Sequence, residues 1–138
     1  MPIETFRAET RSVSIKATPG VVLDLVSDPR NLPLWAPGAA SAVRPDDGAW
    51  LVESGGTETR MVVRVSREHG TVDLLIAEDP PQGVFTRVLP SGEGAEYQFT
   101  LLFPERTPEE AVARQMTIVE TELRAVRTLC EERRGNKQ

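Results

Sequence analysis

Several residue types with well-known chemistry are scarce in this sequence, and each scarcity excludes a class of structure. Cys130 is the only cysteine among 138 residues, which excludes an intramolecular disulfide and a cysteine-based zinc site. His69 is the only histidine, and it falls in the predicted turn REHG without companion ligands. The sequence therefore predicts no metal site and no Ser-His-Asp triad, and we expect no cofactor.

Long apolar runs are also missing. No 18 apolar residues run together, and the N-terminal stretch MPIETFRAETR has no apolar segment of the kind found in signal peptides. The net charge is −5, which disfavours binding to nucleic acids and to anionic membranes. We therefore expect a cytoplasmic protein that does not insert into membranes and does not bind nucleic acid.

The first part of the chain combines one strand with two short helices. RSVSIKA alternates polar and apolar residues, which is typical of a half-buried strand. Thr18 and Pro19 then predict the start of a helix, because threonine can cap it and proline fits its first position. The stretch DPRNLPLWAP repeats this arrangement, and Pro33 limits the second helix to about Leu34.

The middle of the chain predicts strands joined by short turns. TETRMVVRVS, TVDLLIA, VFTRVLP and AEYQFTLLF are rich in strand-forming residues, and the first and last alternate clearly. Short connections between successive strands favour an antiparallel meander. The alternation places Met61 on one face of its strand, and Tyr97 and Phe99 on one face of theirs.

The last part predicts a single long helix from about Pro108 to Arg133. Thr107–Glu110 has the pattern of a capping box, with proline at the first helical position. Six residues then follow at spacings of three and four, which form one apolar stripe: Val112, Met116, Val119, Leu123, Val126 and Cys130.

These elements predict an α+β domain over residues 1–134, with a loose tail at 135–138. An antiparallel sheet with one apolar face must be covered, and the last helix is the only long cover available. Seven aromatic residues (two Trp, one Tyr and four Phe) are a modest supply for filling the space between a sheet and a helix. Small and medium side chains dominate the predicted inner faces, which is consistent with a cavity.

The opening SVSIKATPGVVLDLVSDPRNLPLWAP resembles that of the START/Bet v 1-like helix-grip superfamily, often called SRPBCC. The stretch from TVDLLI to TPEEAVARQMTIVETELRAVRTLCE resembles the end of its bacterial polyketide-cyclase/dehydrase-like branch. The resemblance implies a curved antiparallel sheet of six to seven strands wrapped around the long C-terminal helix, with two short helices after the first strand. It also implies a ligand cavity between sheet and helix, with the short helices at its mouth.

We therefore expect a hydrophobic small molecule as the ligand. The residues predicted to form the cavity wall are Trp35, Met61, Tyr97, Phe99, Gln115 and Met116. Trp35 has two interpretations, as a core residue that plugs the end of the sheet or as a ligand contact. Its surrounding prolines direct the chain across that end.

Several functions remain open. The first is a cyclase or dehydratase, with Tyr97 handling protons and no other catalytic residue assigned. The second is a carrier or sensor that leaves its ligand unchanged. The third is a protein-interaction module, suggested only by Ile118 and Leu129 off the main stripe, and a homodimer also stays open. Inward-facing ionisable groups would distinguish an enzyme from a carrier, and Arg60, Asp73 and Arg87 fall on the outward strand phase.

Overall fold

The computed structural model describes residues 2–76 and 82–136. The first strand and the short helices come first, in the order β1 (Arg7–Ile15), α1 (Pro19–Val26), a 3-10 turn (Pro29–Asn31) and α2 (Leu32–Trp35). Six strands and one long helix follow: β2 (Ala42–Asp46), β3 (Ala49–Ser54), β4 (Thr57–Ser66), β5 (Thr71–Ile76), β6 (Gln82–Ser91), β7 (Gly94–Phe103) and α3 (Glu109–Asn136).

The described strands form one antiparallel sheet of seven strands in the order β1-β7-β6-β5-β4-β3-β2. Strands β2 to β7 form the predicted meander, and β1 adds to the free edge of β7 with Val13 opposite Tyr97. The helix-grip architecture predicted from the sequence is confirmed. The faces are also confirmed, since Met61, Tyr97 and Phe99 are all buried on the side of the sheet that α3 covers.

Glycines make the tight turns of this meander. Gly55 and Gly56 join β3 to β4 with φ values of 57° and 81°, a left-handed geometry that glycine adopts at little cost. Gly70 ends the turn between β4 and β5 with φ 72°, and a Cβ there would lie 2.3 Å from the Val88 carbonyl oxygen. Its own carbonyl accepts the Val88 N–H at 2.7 Å, so this turn is fastened to β6.

The side-chain caps predicted at three helix starts form at only one of them. Asp28 caps the 3-10 turn, because its Oδ1 accepts the Arg30 N–H at 3.0 Å. Thr18 lies at the N-cap of α1 but forms no side-chain cap bond. The capping box expected at α3 is not formed either, since the Thr107 hydroxyl donates to the Pro104 carbonyl at 2.7 Å. The proline that follows each threonine therefore marks these starts more reliably than the threonine does.

The apolar stripe of α3 packs on the sheet and on α1. All six of its residues are at most 3% exposed. Exposed ion pairs fix the helix beside β1: Arg7 pairs with Glu109, and Arg11 with Glu120 at 3.3 Å. Near the other end, the Glu131 carboxylate accepts the Lys16 N–H at 2.9 Å. The contacts along one edge of the sheet thus set the position of α3.

The helix α3 continues to Asn136, three residues beyond the predicted end at Arg133. Gly135 and Asn136 are therefore helical, whereas the sequence predicted a loose tail from residue 135. Glycine is tolerated in the last turn of a helix because few backbone hydrogen bonds depend on it there. Residues 137–138 of the predicted tail lie outside the described residues.

Candidate ligand pocket

A pocket of about 570 Å³ lies between the N-terminal half of α3 and the inner face of the sheet. Three alanines, Ala39, Ala40 and Ala111, line it, and their small side chains leave space between helix and sheet. Most of its wall is apolar, formed by Leu32, Ala40, Val52, Met61, Leu74, Val84, Leu101, Phe103 and Ala111 among others. Such a volume with apolar walls is in the range of small-molecule sites.

The polar side chains that line the pocket are all uncharged among the described residues. They are Ser54, Thr59, Gln82, Thr107 and Gln115. Two of these hydroxyls bond the backbone: Ser54 donates to the Gly38 carbonyl at 3.2 Å, and Thr107 to that of Pro104 at 2.7 Å. The pocket therefore offers few polar groups, and none of those described carries a charge.

Two of the six residues predicted for the cavity wall line this pocket. Met61 is 6% exposed and reaches it from β4. Gln115 reaches it from α3, and its side chain is otherwise exposed to solvent. The pocket brings these two together across the space between sheet and helix.

Trp35 and Phe99 lie beside the pocket but not on its wall. Both are buried, and their rings meet edge to face with centroids 6.5 Å apart. Phe99 is two residues from Leu101, which does line the pocket. The Trp35 Nε1 is buried without a hydrogen-bond partner in the described part of the chain. The proline-rich stretch thus directs Trp35 into the core, in the position of the predicted plug.

Tyr97 and Met116 are also core residues, at 1% and 2% exposure, and neither lines the pocket. Alternation and helical spacing predicted the correct inward direction for both. They pack in the core cluster together with the valines and leucines of α1, whereas the pocket is lined by residues further along β7 and nearer the start of α3. Burial raises the pKa of Tyr97, while its hydrogen bond with Thr86 acts in the opposite direction.

Glu122 is the ionisable group that the sequence analysis missed. It is only 8% exposed, and burial raises the pKa of its carboxyl group from 4.5 to about 7. Its negative charge also contributes to the raised pKa of Tyr97, after the larger effect of burial. None of the ion pairs between described residues involves Glu122.

The spacing of α3 contained the signal for Glu122. It lies three residues after Val119 and four before Val126, and both of these are fully buried on the stripe. A residue in that register faces the sheet whatever its chemistry. The apolar stripe includes Leu123 at this level of the helix, whereas an acidic residue such as Glu122 is expected on the solvent face.

The other end of α3 carries a larger groove of about 1070 Å³, which includes Lys16, Arg127 and Glu131 in its walls. Charged and polar residues open to solvent make it a poor match for an apolar ligand. His69 is exposed in the turn before β5, and no three potential metal-ligating side chains of the described residues converge. None of the described helices has the length and apolar character to cross a bilayer.

The fold and the pocket together define a helix-grip protein with an apolar cavity under its long helix. The chain belongs to the family described as polyketide cyclase/dehydrase and lipid transport, whose sequence profile matches residues 8–131. No curated protein matches the chain in sequence.

Solved structures of the same fold are similar over nearly the whole chain. The protein XoxI from Bacillus cereus is 16% identical with a TM-score of 0.72, covering 88% of this chain and 94% of its own. A START superfamily protein from Mycobacterium smegmatis is 16% identical with a TM-score of 0.69, covering 91% and 97%. The Zhui aromatase/cyclase from Streptomyces sp. R1128 is 16% identical with a TM-score of 0.66, covering 93% and 95%. At these identities the likeness shows the fold.

Proposed function

We propose that this protein binds a hydrophobic small molecule in the pocket between α3 and the sheet, and releases it unchanged as a carrier or sensor. The observation that carries the proposal is the composition of the pocket wall. About 570 Å³ is lined mostly by apolar side chains, and every polar lining residue that is described is uncharged. Burial of apolar area then supplies the affinity, at about 25 cal/mol per Å². Met61 and Gln115 are the contacts that we propose on opposite walls.

The other four predicted residues enter the proposal differently. Trp35, Phe99, Tyr97 and Met116 form the packed core behind the pocket, and we propose that they support its wall. Trp35 and Phe99 fit this supporting role best. Their rings are in edge-to-face contact, and Phe99 is two residues from Leu101, which lines the pocket. In this proposal a ligand contacts these four side chains only if they move from their positions in the core.

A cyclase or dehydratase is the second candidate, and two observations favour it. The family description includes such enzymes, and Tyr97 and Glu122 are both buried ionisable groups. A general acid or base must reach the proton that it transfers, within hydrogen-bond distance or through one water. Neither residue lines the pocket, so binding without chemistry fits the geometry better.

The third function, a protein-interaction module, has less support. Of the two residues that suggested it, Leu129 packs against the core, and Ile118 is 44% exposed on α3. A single exposed isoleucine is ordinary on a protein surface. A homodimer stays a proposal without a surface assigned to it.

Titration with the neutral dye Nile red tests the binding function. We expect saturable fluorescence enhancement with one dye per chain, and displacement by other apolar molecules. Each displacing molecule is then recovered after incubation with the protein, and mass spectrometry is expected to show that its mass is unchanged. Binding that does not saturate, or that needs unfolded protein, would contradict the proposal. A converted product would favour the enzyme instead.

A further inference from the structure

We propose that the natural ligand of the pocket is an uncharged molecule that carries a hydroxyl or carbonyl group, and that anionic ligands such as fatty carboxylates are rejected. This inference rests on the proposed function, because it names the chemical class of ligand for the same site. Two independent features of the pocket support it. The described wall has no charged side chain, and some of its polar side chains are available to bond a ligand.

The first feature is the lack of a cation for an anionic ligand. All described lining residues are uncharged, including Ile76 and Gln82 on either side of the β5–β6 connection. That connection, residues 77–81, has the sequence AEDPP, so it brings no positive charge whatever its conformation. An ionised carboxylate that leaves water for such a site loses its hydration without gaining a partner.

None of the arginines that adjoin lining residues in sequence lines the pocket itself. Arg7 on β1 is bonded to both Glu9 and Glu109. Arg106 and Arg114 adjoin the lining residues Thr107 and Gln115 in sequence, but both are exposed and neither lines the pocket. Glu109 and Glu110 in the first turn of α3 add negative charge at this end of the helix.

The second feature is a set of polar side chains that can bond a ligand in place of water. Ser54 and Thr107 already donate their hydroxyl protons to backbone carbonyls. Thr59, Gln82 and Gln115 form no side-chain hydrogen bond with any described residue, although all three line the pocket. A hydroxyl and two amides can both donate and accept, and this matches an alcohol or a carbonyl. They lie on β4, β6 and α3, around an otherwise apolar space.

Competition with Nile red by matched ten-carbon compounds tests this inference. At pH 8 we expect 1-decanol to displace the dye at a concentration at least about 10-fold lower than decanoate does, equal to about 1.4 kcal/mol. Decanoate is expected to gain affinity as the pH is lowered towards 5, because more of it is then protonated, while decanol serves as the control for effects of pH on the protein.

Two variants identify the polar contacts. Thr59→Val and Gln115→Leu are each expected to weaken decanol binding about 5-fold, since each removes one hydrogen bond to the ligand. Thr117→Val is the matched control, because the Thr117 hydroxyl is exposed and donates to the Ala113 carbonyl within α3. No change in decanol affinity in either lining variant would overturn the role assigned to these groups.

Each remaining result has a definite meaning. Decanoate binding as tightly as decanol at pH 8 overturns the inference, and loss of that binding in Arg106→Gln or Arg114→Gln would identify the arginine responsible. If Nile red binds but neither ten-carbon compound displaces it, the ligand class is wrong while the pocket function stands. If Nile red itself does not bind, the proposed function fails and this inference fails with it.

Discussion

Replacing Glu122 by glutamine is expected to stabilise the protein at pH 8 by about 3 kcal/mol, and to have little effect near pH 4. The carboxyl group is buried, and its pKa is raised from 4.5 to about 7. Between these two pH values the folded state holds a proton that the unfolded state has already released, and at pH 8 the folded state must bury the charged form. Each pKa unit of difference corresponds to about 1.4 kcal/mol, which gives the expected size.

The sign of the effect follows from proton linkage. Below pH 4.5 Glu122 is protonated in both states and its contribution to stability is fully present. Between pH 4.5 and about 7 the folded state binds more protons, so the stability that Glu122 contributes is lost as the pH rises. Above about pH 7 the loss is complete. Glutamine keeps the shape without the proton equilibrium, so the difference between the two proteins isolates this group.

Urea unfolding of both proteins at several pH values between 4 and 9 measures this difference. Glu132→Gln is the control, because Glu132 is exposed on the same helix and the variant makes the same substitution without touching a buried carboxyl group. Parallel stability curves for the wild type and Glu122→Gln would show that the Glu122 carboxyl is solvated and titrates normally.

Filling the pocket from α3 gives the second large effect. Ala111→Trp is expected to weaken Nile red binding at least about 100-fold, equal to about 2.7 kcal/mol, because the indole occupies the space that the ligand needs. Ala111 is half-buried and faces the open pocket, so we expect the free energy of unfolding to change by less than about 1 kcal/mol.

The matched control for this variant lies two residues further along the helix. Ala113 is exposed and does not line the pocket, so Ala113→Trp adds the same side chain to the same helix without filling the cavity. We expect it to bind Nile red as the wild type does. Equal affinity of the two tryptophan variants would place the dye elsewhere on the protein.

The architecture could be predicted from sequence because local patterns decide it. Period-two alternation identified the inner faces of β4 and β7, and the stripe of α3 identified the surface that packs on them. Pro19 and Pro29 marked the starts of α1 and of the 3-10 turn, as the first residue of each. The end of α3 was set three residues too early, because a glycine in the last turn ends a helix in many sequences but not in this one.

The candidate pocket could be predicted only in part, because alternation gives the direction of a side chain but not its depth. Met61 and Met116 are both buried, yet only Met61 lines the pocket. The position of the pocket depends on how α3 and the short helices pack on the sheet, which is a tertiary property. Glu122 was missed for a different reason. Its spacing from Val119 and Val126 indicates a buried position, but a charged side chain is expected to be exposed to solvent.

The methionines provide the most direct test of the binding site, since the chain contains only three of them, Met1, Met61 and Met116. Labelling their methyl groups with ¹³C gives three resonances, which Met61→Leu and Met116→Leu would assign. With decanol bound, we predict nuclear Overhauser effects between the ligand and the Met61 methyl group, and none to the buried Met116 methyl group. Contacts to Met116 alone, or to neither of these two methyl groups, would contradict the account.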